Sequence, residues 1–460
     1  MPLPLLEAGP DALIPMQISV TQPRVRTLLG RLLSSALQAV DPFEALLQIV
    51  TRRGTLLQVG DRRYDLSRYK RIFAVGAGKA SARMAAALEH RLGTRITDGL
   101  VVVKYGHTTP TTRIHIKEAG HPIPDEAGQR ATARILTMLD RLSPDDLLFV
   151  LLSGGASSLL PAPPPGVTLA DKQRTTSLLL RSGATIHEIN AVRKHLSVVK
   201  GGRLAAATRA HVISLILSDV LGDDLATIGS GPTAGDKTTY ADAVHILKRS
   251  DVWRQTPLPV RRYLLDGRRR KHPELPKPGA HLFQRIHNQL IGNNQAAVDI
   301  VAREAKRCGL HPLILSTSLQ GEAREAAKWF GAMARELVST GRPVPRPACL
   351  IAGGELTVTV RGTGRGGRAQ EFALAAAHEL AGLPNVWIAG FGTDGTDGPT
   401  DSAGAVVNGQ TLARAQRLHV DAARFLACND AYRFFNVVGG HIRTGPTGTN
   451  VNDLYLLIAL

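Results

Sequence analysis

The sequence RIFAVGAGKASARM occupies residues 71–84. Residues 71–75 predict a short apolar strand, glycines and Lys79 follow it, and a helix is predicted from there through Leu92. A strand that passes through glycines into a helix start is typical of α/β folds, where the helix N-terminus can bind an anion. A lysine at a helix start opposes the helix dipole. We therefore expect Lys79 to serve function more than stability.

Two further predicted strands end in small or acidic residues. Residues 147–152 predict a fully apolar strand of the parallel type, and Ser153, Gly154 and Gly155 follow it. The strand predicted over 212–217 leads to Asp219, a suitable ligand for a metal or a hydroxyl group. Ligands of α/β sheets bind at the carboxyl ends of strands. We expect backbone contacts from the first loop and a polar contact from Asp219.

Neither phosphate-binding fingerprint is complete around Lys79. The spacing of glycines before Gly78 does not fit a P-loop. Ser81 occupies the last glycine position of the dinucleotide fingerprint, and no acidic residue ends the next predicted strand, residues 99–103. Around Ser157 the nucleophile-elbow pattern is also missing, because Leu159 stands at its last glycine. These patterns favour backbone contact with an anion over covalent catalysis.

The C-terminal part contains a second set of glycine loops, between residues 351 and 401. Ordinary αβ turns could account for any one of them, but three such loops within one short stretch favour a ligand site. Glycine lets backbone N–H groups face an anion, arginine neutralises it, and carboxylates hold a divalent ion. The candidates in this stretch are Gly353, Gly354, Glu355, Gly364, Gly366, Gly367, Arg368, Asp394 and Asp397.

Composition excludes several classes of function. The chain has 460 residues, 43% of them hydrophobic, with a formal net charge of +18. The basic residues are spread along the chain and aromatic residues make up only 4%, which does not favour nucleic acid as a partner. No apolar run suits a membrane span, and residues 1–22 do not predict a signal peptide. The three cysteines are far apart, which favours a reducing cytoplasm.

Strands and helices alternate along most of the chain, which predicts two α/β domains with mostly parallel sheets covered by helices. Residues 254–280 contain several prolines and most of a basic cluster, and they mark the predicted connection. The predicted domains are therefore 21–280 and 281–460. The segment from 169 to 207 is predicted to be helical and carries Arg193 and Lys194, although solvated helix faces often carry such charges.

Taken together, these segments resemble the glycerate 2-kinase family, whose C-terminal part is the MOFRL module. The resemblance covers roughly residues 25–458. Ala156 and Ala369 depart from it, standing where a glycine and an asparagine are common. The motifs that carry it are VGAGKA (75–80), EAGHP (118–122), LSGG (152–155), NAVRKHLS (190–197), LSDV (217–220), GSGPT (229–233), GGE (353–355), GGR (366–368), GTDG (392–395) and TGPTGTN (444–450).

The resemblance implies an ATP- and Mg²⁺-dependent kinase that phosphorylates the 2-hydroxyl of D-glycerate. It implies a Rossmann-like N-terminal domain, a MOFRL module at about 347–458, and an active site in the cleft between the domains. Lys79 and Arg368 map onto the family's catalytic lysine and arginine. On this interpretation Asp394 or Asp397 binds Mg²⁺, with Asp219 as a further ligand or as the group that orients the acceptor. The glycines of the C-terminal loops and Glu355 contact the nucleotide, whereas Ser153, Gly154, Gly155, Arg193 and Lys194 contact glycerate.

Two other functions stay open from the sequence. One is a hydroxypyruvate reductase that uses NADH or NADPH, against which the incomplete dinucleotide fingerprint weighs. The other is a catalytically silent regulator that binds a sugar acid or a nucleotide. The sequence is compatible with a homodimer and does not fix the oligomeric state.

Overall fold

The computed structural model describes residues 16–460, so most of the segment examined for a signal peptide lies outside the described residues. The described chain divides into two compact units. The continuous unit is Pro42–Gly292. The split unit combines the described residues up to Asp41 with Asn293–Leu460.

The secondary structure alternates between strands and helices over most of the chain. The strands are β1 (Gln17–Ile18), β2 (Val50–Arg53), β3 (Leu56–Val59), β4 (Arg62–Asp65), β5 (Arg71–Ala77), β6 (Ile96–Lys104), β7 (Ile114–Ala119), β8 (Asp146–Leu152), β9 (His211–Leu217), β10 (Ile286–Gly292), β11 (His311–Leu319), β12 (Ala348–Gly354), β13 (Val386–Gly392), β14 (Gly404–Asn408), β15 (His441–Arg443) and β16 (Asp453–Ala459). The helices are α1 (Pro23–Ala39), α2 (Pro42–Ile49), α3 (Ser81–Leu92), α4 (Glu126–Asp140), α5 (Ala156–Leu159), α6 (Leu169–Arg181), α7 (Ile186–His195), α8 (Arg203–Ala206), α9 (Tyr240–Arg249), α10 (Leu258–Arg268), α11 (Asn294–Arg307), α12 (Ala323–Thr340), α13 (Arg368–Glu379), α14 (Thr411–Arg417), α15 (Ala422–Ala427) and α16 (Ala431–Val438).

The continuous unit is built on a six-stranded parallel sheet with the order β10-β9-β8-β5-β6-β7. Numbered within this sheet, the order is 3-2-1-4-5-6, that of doubly wound dinucleotide-binding folds. The chain first builds outward from β5 through β6 to β7, and then returns to place β8 on the other side of β5. The gap between the carboxyl ends of β5 and β8 is the topological switch point, where such sheets bind ligands.

The apolar sequences of these strands agree with their burial, which is usual for parallel sheets. Every residue of β8 is buried, as expected for a strand covered by helices on both faces. Side chains of β5, β8 and β9 share one hydrophobic core with α4 and α5. A second cluster holds α6, α7, α9 and α10 together. An antiparallel meander, β2-β3-β4, forms a separate small sheet in this unit.

The split unit contains a seven-stranded mixed sheet with the order β1-β15-β14-β13-β16-β12-β11. Only β11 and β12 pair in parallel; β16 is inserted antiparallel between β12 and β13. All seven residues of β16 are buried, although it is the last strand of the chain. Its first residue, Asp453, pairs with Gly354 at the end of β12 and with Gly392 at the end of β13.

The structure confirms the α/β fold class, and it differs from the sequence expectation in the split unit. The prediction of a mostly parallel sheet holds for the continuous unit but is wrong for the split unit, where five of the six described strand pairings are antiparallel. Helix α1 also belongs with the C-terminal residues instead of the N-terminal domain. It packs on α11, and Arg31 Nη2 lies 2.6 Å from Glu304 Oε1. The compact units therefore change at residues 41/42 and 292/293, not at 280/281.

Several local predictions were also wrong. The connector predicted over 254–280 contains α10, whose residues Val260 and Leu264 are fully buried. The helical segment predicted from 169 to 207 is divided into α6, α7 and α8. No helix in the described part of the chain is long and apolar enough to span a membrane.

Candidate functional site

Lys79 lies at the switch point of the parallel sheet, between β5 and α3. Its backbone N–H donates to the Gly154 carbonyl at 2.8 Å, which ties it to the loop that follows β8. The predicted residues Lys79, Ser153, Gly154 and Gly155 are therefore neighbours. They come together because β5 and β8 pair in parallel and in register to their last residues, Ala77 and Leu152. The half-buried lysine side chain places a cation at this edge of the sheet.

A hydroxyl network fixes the two loops to each other. Ser153 Oγ accepts from the Ala80 N–H at 3.0 Å and lies 3.0 Å from Ser81 Oγ. Gly78 has φ of +145°, and a Cβ at that position would lie 2.0 Å from Ser153 Oγ. The glycine is thus required both by its backbone conformation and by the closeness of the serine. Ser153 fastens the start of α3 and, in this structure, its hydroxyl is used within the protein.

His121, which follows β7, completes this edge of the sheet. A Cβ added to Gly155 would lie 2.8 Å from His121 Cδ2 and 3.6 Å from Lys79 Cγ, so the three residues are adjacent. Burial, together with the charge of Lys79, lowers the pKa of His121 to about 4. The imidazole is therefore neutral at pH 7. It adds no positive charge beside Lys79.

Asp219 lies one strand further along the same edge, two residues after the end of β9. The Ser218 N–H before it donates to the Gly292 carbonyl at the end of β10, at 2.9 Å. Asp219 is half-buried. Strand order therefore places it beside the Ser153–Gly155 loop and two strands from β5.

Arg193 and Lys194 face different partners. Lys194 forms a buried ion pair with Asp236. Arg193 Nη2 donates to Ser157 Oγ at 2.8 Å, and Lys200 Nζ donates to the same oxygen at 3.0 Å. Sequence reasoning treated these charges as exposed in most cases, yet Lys194 and Lys200 are 6% and 1% exposed. Of the two predicted residues, Lys194 is paired with a carboxylate, whereas the hydrogen bond described for Arg193 goes to a neutral hydroxyl.

In the split unit, Arg368 is held by two carboxylates. Its Nε and Nη2 donate to Asp453 Oδ2 and Oδ1 at 2.5 and 3.0 Å, a bidentate pair, and Nη1 donates to Glu355 Oε1 at 2.5 Å. These negative charges raise the pKa of Arg368, although its burial opposes them. The predicted residues Arg368 and Glu355 are thus in direct contact. The guanidinium is oriented before any ligand arrives.

Asp453 is a site residue that the sequence prediction missed. It is 2% exposed, and Oδ2 also accepts from Tyr455 Oη at 2.8 Å. Burial raises its pKa to about 6, against the opposing influence of Arg368. The one available signal was its place at the start of the apolar strand β16. That signal became useful only with the strand order, since β16 starts where β12 and β13 end.

The predicted nucleotide-binding glycines are tightly packed within the split unit. A Cβ on Gly353 would lie 1.7 Å from Asn294 Oδ1, and one on Gly354 would lie 2.2 Å from the Leu319 carbonyl oxygen. A Cβ on Gly364 would lie 2.4 Å from Asp430 Cβ, and one on Gly367 would lie 2.3 Å from Asp397 Oδ1. Gly366 is looser, with 3.4 Å to Ala431. Close packing thus accounts for four of these glycines without a ligand.

The two predicted metal ligands differ in what they already bind. Asp397 is 4% exposed; Oδ1 accepts from the Ala369 N–H at 3.0 Å, and Oδ2 accepts from the Gln370 N–H at 2.8 Å. It therefore caps the start of α13, and the prediction that it binds a metal does not fit this geometry. Asp394, after β13, is more open, and its Oδ1 accepts from the Thr396 N–H at 3.0 Å.

The acidic residues of this site suit a Mg²⁺ ion whose ligands come mainly from the phosphate groups of a bound substrate and from water. Among residues 16–460, no group of three or more histidine, cysteine, aspartate or glutamate side chains could hold a metal ion. Mg²⁺ is commonly bound by one or two carboxylates plus phosphate oxygens and water. One carboxylate, such as that of Asp394, meets that requirement, whereas the described residues do not form a protein cage for the ion.

Comparison with known proteins gives two family matches and a consistent set of relatives. Residues 28–265 match a domain family described as of unknown function, DUF4147, and residues 348–453 match the MOFRL family. A glycerate 2-kinase from Pyrococcus horikoshii is 41% identical over 94% of this chain and 97% of its own. A D-glycerate 2-kinase from Thermotoga maritima is 45% identical over 84% and 90% of the two chains.

A putative hydroxypyruvate reductase from Agrobacterium vitis is 40% identical over 94% of both chains, so relatives at this distance carry two different names. A crystal structure of a glycerate kinase from Thermotoga maritima matches with a TM-score of 0.85 at 41% identity. That match covers 95% of this chain and 100% of the other. With both family regions matched and identity of about 40% along nearly its whole length, the chain belongs to the MOFRL-type glycerate 2-kinase family.

Proposed function

We propose that this protein is a glycerate 2-kinase that transfers the γ-phosphoryl group of ATP to the 2-hydroxyl of D-glycerate, giving 2-phosphoglycerate and ADP. The observation that carries the proposal is Lys79 at the switch point of a 3-2-1-4-5-6 sheet, tied to the loop after β8. Kinase names among relatives that share nearly the whole chain support the same reaction.

The residues have separate roles in this proposal. The acceptor oxygen forms a bond to the γ-phosphorus, the bond from that phosphorus to the β–γ bridging oxygen breaks, and ADP leaves with the released charge. Lys79 and Arg368 stabilise the charge on the transferred oxygens, the main demand of this chemistry. Asp219 orients the acceptor hydroxyl and takes its proton. Asp453 and Glu355 act through Arg368 by fixing the direction of its N–H groups.

Nucleotide and metal contacts belong to the split unit in this proposal. The backbone around Gly366 and Gly367, next to Arg368, is the part of the predicted glycine set best suited to phosphate oxygens. Asp394 would hold Mg²⁺, which when bound neutralises phosphate charge. Asp397 supports the same loop by capping α13. We also propose a cytoplasmic location, which suits the three cysteines, all of them free thiols.

Reductase activity is the weaker candidate because the start of α3 lacks a glycine that the dinucleotide fingerprint requires. Ser81 stands at the last glycine position of the dinucleotide fingerprint. Its Oγ donates to the Leu151 carbonyl at 3.2 Å and lies 3.0 Å from Ser153 Oγ. A side chain therefore fills the place where a nicotinamide-binding fold brings helix and strand close together.

The product made from ATP and D-glycerate tests the proposal directly. We expect ³¹P NMR to show 2-phosphoglycerate, formed only with Mg²⁺ present. A 3-phospho product would overturn the assigned position, and the absence of any phosphorylated product would overturn the kinase. Oxidation of NADH at 340 nm with hydroxypyruvate, in the absence of ATP, would establish the reductase instead.

Two substitutions then test whether the proposed catalytic cations act in the reaction and not in maintaining the fold. Lys79→Met and Arg368→Lys should each lower kcat by about 10³, the scale set by cationic groups in phosphoryl transfer. Arg68→Lys is a suitable control, because Arg68 is exposed and lies in a turn after β4. Circular dichroism should show the same fold in all three variants. Full activity in Lys79→Met would remove Lys79 from the mechanism.

A further inference from the structure

The continuous unit contains a buried group of basic side chains with too little negative charge to balance it. We call Lys172, Arg193 and Lys200 the basic cluster. Lys172 is on α6, Arg193 is on α7, and Lys200 follows α7. Lys172 and Lys200 are 5% and 1% exposed. The neighbouring Lys194 is already neutralised by its ion pair with Asp236.

The cluster converges on one residue, Ser157. Arg193 Nη2 and Lys200 Nζ both donate to Ser157 Oγ, at 2.8 and 3.0 Å. The hydroxyl accepts twice from cations, so its own proton is directed to Ser230 Oγ, 2.8 Å away. Ser157 stands two residues after Gly155, on the short helix that follows the switch-point loop. The basic cluster is therefore continuous with the candidate acceptor site.

Lys172 gives the second, independent observation. Its Nζ has no hydrogen-bond partner among the described residues, although the side chain is buried. Burial, with the charge of Arg193, lowers its pKa to about 7. Burial and the neighbouring charges of Lys172 and Arg193 also hold the pKa of Lys200 well below its usual value. An unpaired buried cation destabilises a fold, so this arrangement needs an anion that the protein alone does not provide.

We propose that the basic cluster binds the carboxylate of the acceptor, a small 2-hydroxy acid, with Lys172 as a direct partner. The inference rests on the proposed kinase function. A carboxylate is attached to the carbon that carries the reacting hydroxyl, so its subsite must adjoin the switch-point loop, and Ser157 does. An oxyanion could also come from the nucleotide. A carboxylate carries one negative charge, which matches Lys172, the member of the cluster whose ammonium has no hydrogen-bond partner among the described residues.

The test uses Lys172→Met, with Arg174→Met as its matched control. Both residues lie on α6, and Arg174 is exposed to solvent. For Lys172→Met we expect KM for D-glycerate to rise about tenfold or more, the scale of one hydrogen bond to a charged group, while KM for ATP stays unchanged. The Tm should not fall, because an unpaired buried charge is removed. Lys172→Arg should keep KM for D-glycerate near that of the wild type.

Binding without turnover separates this inference from the proposed reaction. In calorimetry without ATP, the wild-type protein should bind D-glycerate and not glycerol, which lacks the carboxylate, and Lys172→Met should bind D-glycerate more weakly. If the wild type binds D-glycerate in this way but forms no phosphorylated product, the carboxylate subsite is supported and the proposed kinase function is overturned. An unchanged affinity and KM for D-glycerate in Lys172→Met would overturn the subsite, as would an increase confined to the KM for ATP.

Discussion

Arg368 donates to both carboxylate oxygens of Asp453, a residue 85 positions later in the sequence. The pair joins the first residue of α13 to the first residue of β16. Glu355, at the end of β12, accepts the third contact of the guanidinium. A flexible side chain is thereby fixed in one direction by two strand ends. Positioning of this kind contributes much of the rate in phosphoryl transfer.

Asp453 should give the protein a pH-dependent stability that Asp453→Asn lacks. Its folded pKa of about 6 lies above the value of about 3.9 expected in the unfolded chain. The folded state therefore binds the proton more readily, and this contribution to stability is present below about pH 4 and is lost as the pH rises through 6. Between pH 7 and pH 4 the wild type should gain about 2 kcal/mol relative to the variant. Urea unfolding at both pH values measures the difference, and Asp140→Asn, at an exposed site, is the control.

His121 should act on stability in the opposite direction. Its folded pKa of about 4 lies below the unfolded value of about 6.5, so the unfolded chain binds the proton more readily. This contribution is present above pH 6.5 and is lost as the pH falls towards 4. We expect His121→Gln to lose less stability than the wild type over that range. Equal losses in the two proteins would show that His121 does not titrate in this way.

Substitutions of Asp394 and Asp397 should distinguish the residue that binds the metal from the residue that caps a helix. Asp397→Asn replaces one accepting oxygen at the start of α13 and should cost about 1–2 kcal/mol of stability, the usual cost of losing a cap. It should leave the Mg²⁺ concentration for half-maximal activity unchanged. Asp394→Asn should raise that concentration severalfold and leave the unfolding curve nearly unchanged. The reverse pattern would assign the metal to Asp397.

Gly78→Ala tests how tightly the switch-point loops are joined. Positive φ at a non-glycine residue costs about 1–2 kcal/mol, and at Gly78 the added Cβ would also overlap Ser153 Oγ. Gly166→Ala supplies the control, because Gly166 has φ of +80° but no atom within 4 Å of its added Cβ. We expect Gly78→Ala to lose at least 2 kcal/mol more than the control, as overpacked sites do. Equal losses would mean that Ser153 can move aside.

The sequence correctly placed the loops after β5 and β8 at strand ends because the signals for these elements are local. A strand, a glycine turn and a helix start are each encoded within a few residues, so Lys79 and Gly154 could be placed at strand ends before the sheet was known. The strand order then made them neighbours. The 3-2-1-4-5-6 strand order could not be predicted from the sequence, because the alternation of strands and helices does not determine which strands pair.

What the sequence did not predict depends on distant parts of the chain. Asp453 reached the site only because β16 inserts between β12 and β13, a pairing with no local pattern. Lys172 lies in the segment predicted to be helical, but its burial follows from the packing of α6 in the unit, which the helical pattern does not predict. Helix α1 has an ordinary amphipathic pattern, which does not say which surface it covers.

The position of β16 has a consequence for the order in which the chain is made. The strand that joins the two halves of the seven-stranded sheet is synthesised after every other described strand. Until then, β12 and β13 lack their shared neighbour, and Arg368 lacks its main counter-charge. The continuous unit, by contrast, has all of its strands as soon as Gly292 has been synthesised. A chain without β16 would therefore lose an inner strand of the sheet, and Glu355 would be the remaining carboxylate partner described for Arg368.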